Sequence, residues 1–294
     1  MTRRILSQRP SGAAATVPGV DDDFGTGPLI SADELAATLG RVTVLDVRYV
    51  MGGPAGRGEH AAGHVPGAAY VDLDDDLADP PGVGGRHPLP DEDRFEAAMR
   101  RAGVDPDRPV VVYDDWQGRA AARAWWLLRF HGHSDVRVLD GGWTAWRDGG
   151  HPVETGETGP VPGGFTVSPT KQMPAIGAGE VLGVEVLVDA RAPERFRGET
   201  EPVDPVAGRV PGAVNVPTTA NLDEDGRFLP PDRLREAYAR VGADEATTVA
   251  AYCGSGVTAA HDVLAMEVAG IRAALYPGSW SEWVTDPERP VETG

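Results

Sequence analysis

The segment Tyr252-Cys253-Gly254-Ser255-Gly256-Val257-Thr258-Ala259 holds the only cysteine of the chain. It lies between a β-rich run, 247–252, and a helix-like run, 259–268. A strand ending at Tyr252 delivers Cys253 to the carboxyl edge of a parallel sheet, where open α/β folds place ligands. Gly254 and Gly256 permit backbone conformations closed to other residues, so several N–H groups can turn toward one sulfur. The helix that follows adds the positive end of its dipole. Both effects favour a thiolate over a thiol, and both suit a terminal sulfur carrying negative charge, as in a persulfide. An isolated cysteine is more often an inert buried side chain; the Gly-Ser-Gly setting argues against that here. Ser255 and Thr258 read either as site hydroxyls or as loop and N-cap hydrogen bonders.

Two copies of one pattern position that cysteine. Leu45-Asp46-Val47-Arg48 in the first half answers Val188-Asp189-Ala190-Arg191 in the second. Gly63-His64-Val65-Pro66-Gly67-Ala68 answers Gly208-Arg209-Val210-Pro211-Gly212-Ala213, and Val111-Val112-Tyr113-Asp114 answers Ala250-Ala251-Tyr252-Cys253. Gly141-Gly142-Trp143 answers Gly278-Ser279-Trp280, and both copies close on Pro-Val-Glu-Thr-Gly, at 152–156 and 290–294. The conserved order and nearly constant offset indicate duplication of a whole domain. Only the second copy has the cysteine; Asp114 stands in its place in the first.

Each copy alternates strand and helix signals, which predicts an α/β fold with a mostly parallel sheet flanked by helices on both faces. Strands are expected at 41–47, 109–113 and 135–139, and again at 185–188, 247–252 and 272–276. Helices are expected at 91–103, 120–130, 232–242 and 259–268. Ser31-Ala32-Asp33-Glu34 has the form of a capping box opening the first helix. The expected boundaries are a flexible leader over 1–27, a first domain over 28–155, a Gly/Pro/Thr-rich linker over 156–164 and a second domain over 165–294. Phe165-Thr166-Val167 reads as a short strand that opens the second domain.

The length, 294 residues with 41% hydrophobic, suits two folded domains with cores of their own. No apolar run approaches the ~20 residues of a membrane span. Arg3-Arg4 has no apolar stretch behind it, which argues against an export signal. A lone cysteine forms no internal disulfide and suggests a reducing cytoplasm. The net charge of −18 argues against nucleic acid. It also makes any arginine cluster a sign of an anionic ligand. No metal-ligand spacing is visible, and neither a metal nor an organic cofactor is expected.

The loop Cys253-Gly254-Ser255-Gly256-Val257-Thr258-Ala259 is similar to the active loop of two-domain rhodanese-family sulfurtransferases, nearest to the 3-mercaptopyruvate branch. The thiosulfate branch usually has Arg and Lys where this chain has Gly254 and Ser255. The resemblance covers about residues 28–294. It includes Asp189-Ala190-Arg191, Arg195-Phe196-Arg197-Gly198, Arg209-Val210-Pro211-Gly212-Ala213, Gly278-Ser279-Trp280 and Ala124-Trp125-Trp126. It implies tandem rhodanese-like domains, the first inactive and the second catalytic. It also implies that Cys253 takes sulfur from a small-molecule donor, 3-mercaptopyruvate or alternatively thiosulfate. From a Cys253 persulfide the sulfur passes to a thiol, a thioredoxin-like protein or cyanide.

Arg191 matches the family position that binds the donor's anionic end, with Arg195 a second contact and Arg197 a weaker one; a bidentate guanidinium suits a carboxylate. A salt bridge from Arg191 to Asp189 or Glu194 is the structural alternative. Gly254, Gly256, Val257 and Thr258 complete the donor-binding loop. The resemblance implies that His64 works with Ser255, polarising or protonating the donor across the domain interface. Its alternative is a turn histidine that caps backbone groups, and Glu59 is the acidic candidate beside it. Two other function classes remain. One is a sulfur carrier or partner-binding module without turnover. The other is a Cys-loop phosphatase or arsenate reductase, which needs an arginine closing the loop where this chain has Val257-Thr258-Ala259-Ala260.

Overall fold

The computed structural model describes residues 27–157 and 159–294. The expected leader falls almost wholly outside them. The first repeat contains β1 (Leu29–Ile30), α1 (Ala32–Thr38), β2 (Thr43–Asp46), α2 (Gly56–Ala62), β3 (Ala69–Tyr70), α3 (Leu73–Asp76), α4 (Glu92–Arg101), β4 (Val110–Tyr113), α5 (Arg119–Phe130), β5 (Val136–Leu139) and α6 (Gly142–Asp148). The second contains β6 (Val186–Asp189), α7 (Pro193–Phe196), β7 (Val214–Asn215), α8 (Pro231–Ala239), β8 (Val249–Tyr252), α9 (Val257–Val268), β9 (Ala273–Leu275) and α10 (Ser279–Trp283).

The strands form two parallel sheets, ordered β1-β5-β4-β2-β3 and β7-β6-β8-β9. Their registers repeat: Asp46 lies opposite Tyr113 in the first sheet, and Asp189 opposite Tyr252 in the second. β4 and β8 are buried along their whole length, as unbroken apolar strands under helices on both faces must be. The capping box at α1 is present: Ser31 Oγ accepts the Glu34 N–H (3.3 Å) and Glu34 accepts the Ser31 N–H (2.9 Å).

α5 and α9 pack against each other at the junction of the repeats. Ala120, Ala121, Ala122 and Ala124 on α5 and Ala259, Ala260 and Ala265 on α9 are buried, and side chains this small allow close backbone approach. One apolar cluster therefore runs through both repeats, from Leu45 and Trp126 to Val188 and Leu264.

Residues 165–167 do not form a strand. The Phe165 N–H bonds Val104 O (3.0 Å), and the ring sits edge-on to Phe95 at 5.9 Å. This aromatic finds its burial in the first repeat's core. The sheet position expected for it is met by Ala175, bridged in parallel to Leu275.

Candidate active site

β8 ends at Tyr252, and Cys253 is 1% exposed at the strand's carboxyl end. Gly256 takes φ +78°, reserved in practice for glycine, and caps α9. A Cβ there would lie 2.1 Å from Pro277 O. That turn aims the Gly256 N–H at Cys253 Sγ (3.1 Å). The motif Gly278-Ser279-Trp280 holds the loop from behind: Ser279 Oγ accepts the Cys253 N–H (3.0 Å), Trp280 N–H bonds Cys253 O (3.0 Å) and Ser281 N–H bonds Gly254 O (2.9 Å). The Ser279 hydroxyl proton is directed to Tyr276 O (2.9 Å), so its 4.0 Å contact with Sγ is secondary.

The first repeat supplies the facing wall. The segment Gly85-Arg86-His87-Pro88 lies across the cysteine loop, tied by Arg86 N–H to Ser281 Oγ (3.0 Å). His87 Nδ1 is 2.7 Å from Ser255 Oγ, and His87 Nε2 is 3.1 Å from Asp74 Oδ1. A carboxylate at Nε2 requires the proton there, which leaves Nδ1 to accept the Ser255 hydroxyl. Burial lowers the His87 pKa, and Arg123 and Arg86 add to this against the pull of Asp74. A neutral imidazole is the resting form. Arg123 rises from α5 into the centre of the junction. Its guanidinium donates to Leu77 O, His87 O, Pro88 O and Gly256 O, at 3.2–3.4 Å. Burial brings its pKa down to about 10, and the charge of Cys253 pulls it upward.

The cysteine loop, Arg86 and His87 border a cavity of about 190 Å³, also lined by Tyr49, Met51, Trp116 and Thr258. Gly254 forms part of its floor. A Cβ on Gly254 would meet Arg86 Nη2 at 2.7 Å and Arg195 Nη2 at 3.6 Å, so the glycine leaves space for two guanidinium edges above the loop.

The sequence-predicted residues divide. Ser255, Gly254, Val257, Thr258, Arg191 and Arg195 line the cavity with Cys253. Gly256 acts through its N–H, and Thr258 is not the helix cap, because Gly256 is. His64 does not line the cavity. It is fully buried in the first repeat, stacked on His60 at 3.9 Å, with Nδ1 on His60 O (2.7 Å) and its backbone bridged to Glu154. Its counterpart Arg209 makes the same bridge, to Glu292. The Gly-X-Val-Pro-Gly turn ties each repeat to its own closing Pro-Val-Glu-Thr-Gly, and His64 takes part in that tie. The histidine on Ser255 is His87. Glu59 is exposed, and its carbonyl accepts from Arg48 (3.0 Å) and from the Gly63 N–H (3.2 Å).

Arg191 is held by Asp189 (Nη2–Oδ2 2.7 Å) and by Gly208 O (2.7 Å). Burial works against its charge, but Asp189 more than compensates and the pKa rises. The first repeat repeats the arrangement with Arg48, Asp46 and Gly63 O. The same pair therefore forms in the copy without a thiol, while Arg191 also lines the cavity. Arg195 is bound by Glu201 (2.6 Å), and exposed Arg197 by Glu199 (2.7 Å).

The cysteine-less copy carries the same cradle with a permanent occupant. Asp114 accepts N–H bonds from Trp116, Gly118, Ala120 and Ala121, at 2.7–2.9 Å. Burial raises its pKa in spite of the four amides. Its cover is reciprocal: Gly226-Arg227-Phe228 of the second repeat lies over it, with the Phe228 N–H on Asp140 (2.9 Å) and the ring on His261 at 4.6 Å. Phe228 thus stands where His87 stands over the thiol loop. Arg86, His87, Asp74 and Arg123 escaped the sequence reading. The one visible signal is for His87, which stands against Phe228 where Gly85-Arg86 matches Gly226-Arg227.

The architecture defines a duplicated α/β protein in which a single thiol loop faces a cleft between the copies. A family model described as "Rhodanese-like domain" matches residues 31–148 and 173–286. The chain belongs to the rhodanese family. It is 47% identical over 279 residues to a Mycobacterium tuberculosis protein provisionally named thiosulfate sulfurtransferase SseB, covering 90% of this chain and 97% of that one. It is 46% identical over 279 residues to a Pseudomonas aeruginosa protein provisionally named 3-mercaptopyruvate sulfurtransferase, covering 90% and 98%. Among solved structures it resembles SseA of Escherichia coli, described as a 3-mercaptopyruvate sulfotransferase with the rhodanese fold. That match has TM-score 0.76 and 31% identity over 87% of this chain and 100% of that one.

Proposed function

We propose that the protein is a sulfurtransferase that moves sulfur from 3-mercaptopyruvate to a thiol through a persulfide on Cys253. One observation carries this reading. The Cys253 loop with Ser255, His87 and the guanidinium edges of Arg86 and Arg195 meet in a single small cavity, with Asp74 on the other nitrogen of His87. The thiolate attacks the donor's sulfur, the carbon–sulfur bond breaks, and the electron pair leaves on the enolate of pyruvate. The thiol proton of the donor passes through Ser255 to neutral His87 and returns to the enolate carbon. The products are pyruvate and an ionised persulfide held by the loop amides. Arg86 and Arg195 hold the donor's carboxylate. An acceptor thiolate then attacks the outer sulfur and releases Cys253 as the thiolate.

Thiosulfate is the second reading, favoured by the name of the Mycobacterium tuberculosis relative. Sulfite leaves with its own charge, and that step needs no proton. The first repeat, 28–155, serves as the wall and the source of His87, and the second, 165–294, carries the thiol. Among the described residues no helix is long and apolar enough to cross a membrane. A thioredoxin-like acceptor in a reducing cytoplasm completes the proposal. The test is mass spectrometry after exposure to 3-mercaptopyruvate. One added sulfur on Cys253 is expected, and transfer that survives Cys253→Ser would refute the scheme.

A further inference from the structure

Three arginines line the cavity, and each is already answered by a buried carboxylate. Asp189 holds Arg191 through Nε (3.0 Å) and Nη2 (2.7 Å). Glu201 holds Arg195 through Nη2 (2.6 Å) and Nε (3.2 Å). Asp204, its side chain 3% exposed, bonds Arg86 Nη1 and stands 3.3 Å from Arg195 Nη2. Three positive charges therefore face three negative ones before a donor enters. A fourth cation, Arg123, does not line the cavity and donates to the backbone carbonyls of Leu77, His87, Pro88 and Gly256.

What remains unspent is directional. Arg86 Nη2 and Arg195 Nη1 make no other hydrogen bond among the described residues. They lie 2.7 and 3.7 Å from the position of a Cβ on Gly254. These two edges offer one small anion a place beside the thiol loop. They bring no net positive charge with them, because Asp204 and Glu201 together balance the two guanidinium groups. Burial pushes the Asp204 pKa up, and Glu201 adds to it against Arg86 and Arg195. Negative charge is already crowded there.

We propose that Asp204 sets donor specificity: by cancelling charge between Arg86 and Arg195 it admits a monoanionic α-keto acid thiol and turns the site against a dianionic donor. Directional hydrogen bonds alone can hold a single carboxylate. Thiosulfate brings a second charge, which meets no uncompensated cation and lies near a fixed carboxylate. The proposal rests on the sulfur-transfer reading above and deepens it.

The experiment compares wild type with Asp204→Asn, using 3-mercaptopyruvate and thiosulfate as donors and cyanide as the common acceptor. Neutralising one charge a few ångströms from the donor is expected to raise the thiosulfate kcat/KM at least about tenfold relative to that of 3-mercaptopyruvate. The gain should shrink as salt is added. A general loosening of the Arg86 contact would move both donors alike, so an unchanged or lower ratio overturns the proposal. If neither donor loads Cys253 of the wild type, the sulfur-transfer reading itself has failed. If loading occurs and the ratio stays fixed, only the role of Asp204 has. Should Asp204→Asn not fold, anion inhibition of the wild type decides. Sulfate is expected to inhibit no better than pyruvate, and much tighter sulfate inhibition overturns the proposal.

Discussion

Replacing His87 and His64 separately by alanine distinguishes the histidine that the structure sets on Ser255 from the one that the sequence pattern points to. His87→Ala removes the 2.7 Å contact to Ser255 and the 3.1 Å contact to Asp74. If that contact were only a neutral hydrogen bond, its loss would cost about 1 kcal/mol, or roughly fivefold in rate. As a proton relay to a leaving carbanion it is worth about 10²–10⁴-fold. The larger figure is expected with 3-mercaptopyruvate, where a proton must reach carbon, and the smaller with thiosulfate, where sulfite needs none. His64→Ala instead removes a ring stacked on His60 inside the first repeat. It should cost about 1–3 kcal/mol of stability and leave both turnovers near wild type. The assay is single-turnover loading of Cys253 with each donor, alongside thermal melting. A His64→Ala enzyme that melts normally but has lost turnover, or a His87→Ala enzyme slowed equally with both donors, would refute the reasoning.

Gly254→Ala places a methyl group 2.7 Å from Arg86 Nη2; it should raise KM for 3-mercaptopyruvate more than it lowers kcat, in steady-state kinetics. Asp114→Asn turns an amide NH₂ toward donors that a carboxylate now accepts. The expected cost is about 1–3 kcal/mol per unmet donor, read as a lower urea midpoint, with donor kinetics unchanged. Burial pulls His261 from 6.5 down to about 3 and His131 to about 4. Each folded state then holds fewer protons than the unfolded chain, so their stabilisation is full above pH ~6.5 and falls as acid is added. Asp262, raised by burial, works in the opposite sense and loses its contribution as pH rises. In urea titrations from pH 6.5 to 4, His261→Asn should flatten the acid slope by up to about 1.4 kcal/mol per pH unit. An unchanged slope would count against a buried neutral His261.

The duplicated α/β plan was legible because each repeat writes its strands as continuous apolar runs. Val110–Tyr113 and Val249–Tyr252 are buried end to end. The thiol loop was legible because its glycines mark the turn onto α9. Phe165 misled because an extended aromatic run looks the same whether it pairs with a sheet or packs on a neighbouring core. His64 misled through its motif: Gly-X-Val-Pro-Gly is shared by both repeats, and in both it ties the turn to the closing Pro-Val-Glu-Thr-Gly. The groups that face the thiol come from the other repeat, so no spacing along the chain could bring Asp74, Arg86, His87 and Arg123 to Cys253. Only the packing of α5 on α9 does that.

The two cradles are filled unequally. Asp114 keeps four amides engaged for as long as the chain is folded, whereas Cys253 Sγ engages one, from Gly256. In the proposed persulfide an outer sulfur with its charge would reach toward the first-turn amides of α9, as the Asp114 carboxylate reaches Ala120 and Ala121. Cargo and scaffold are thereby coupled: the charged form should melt above the empty one. A population starved of donor would be the more fragile, and the more readily cleared by proteolysis.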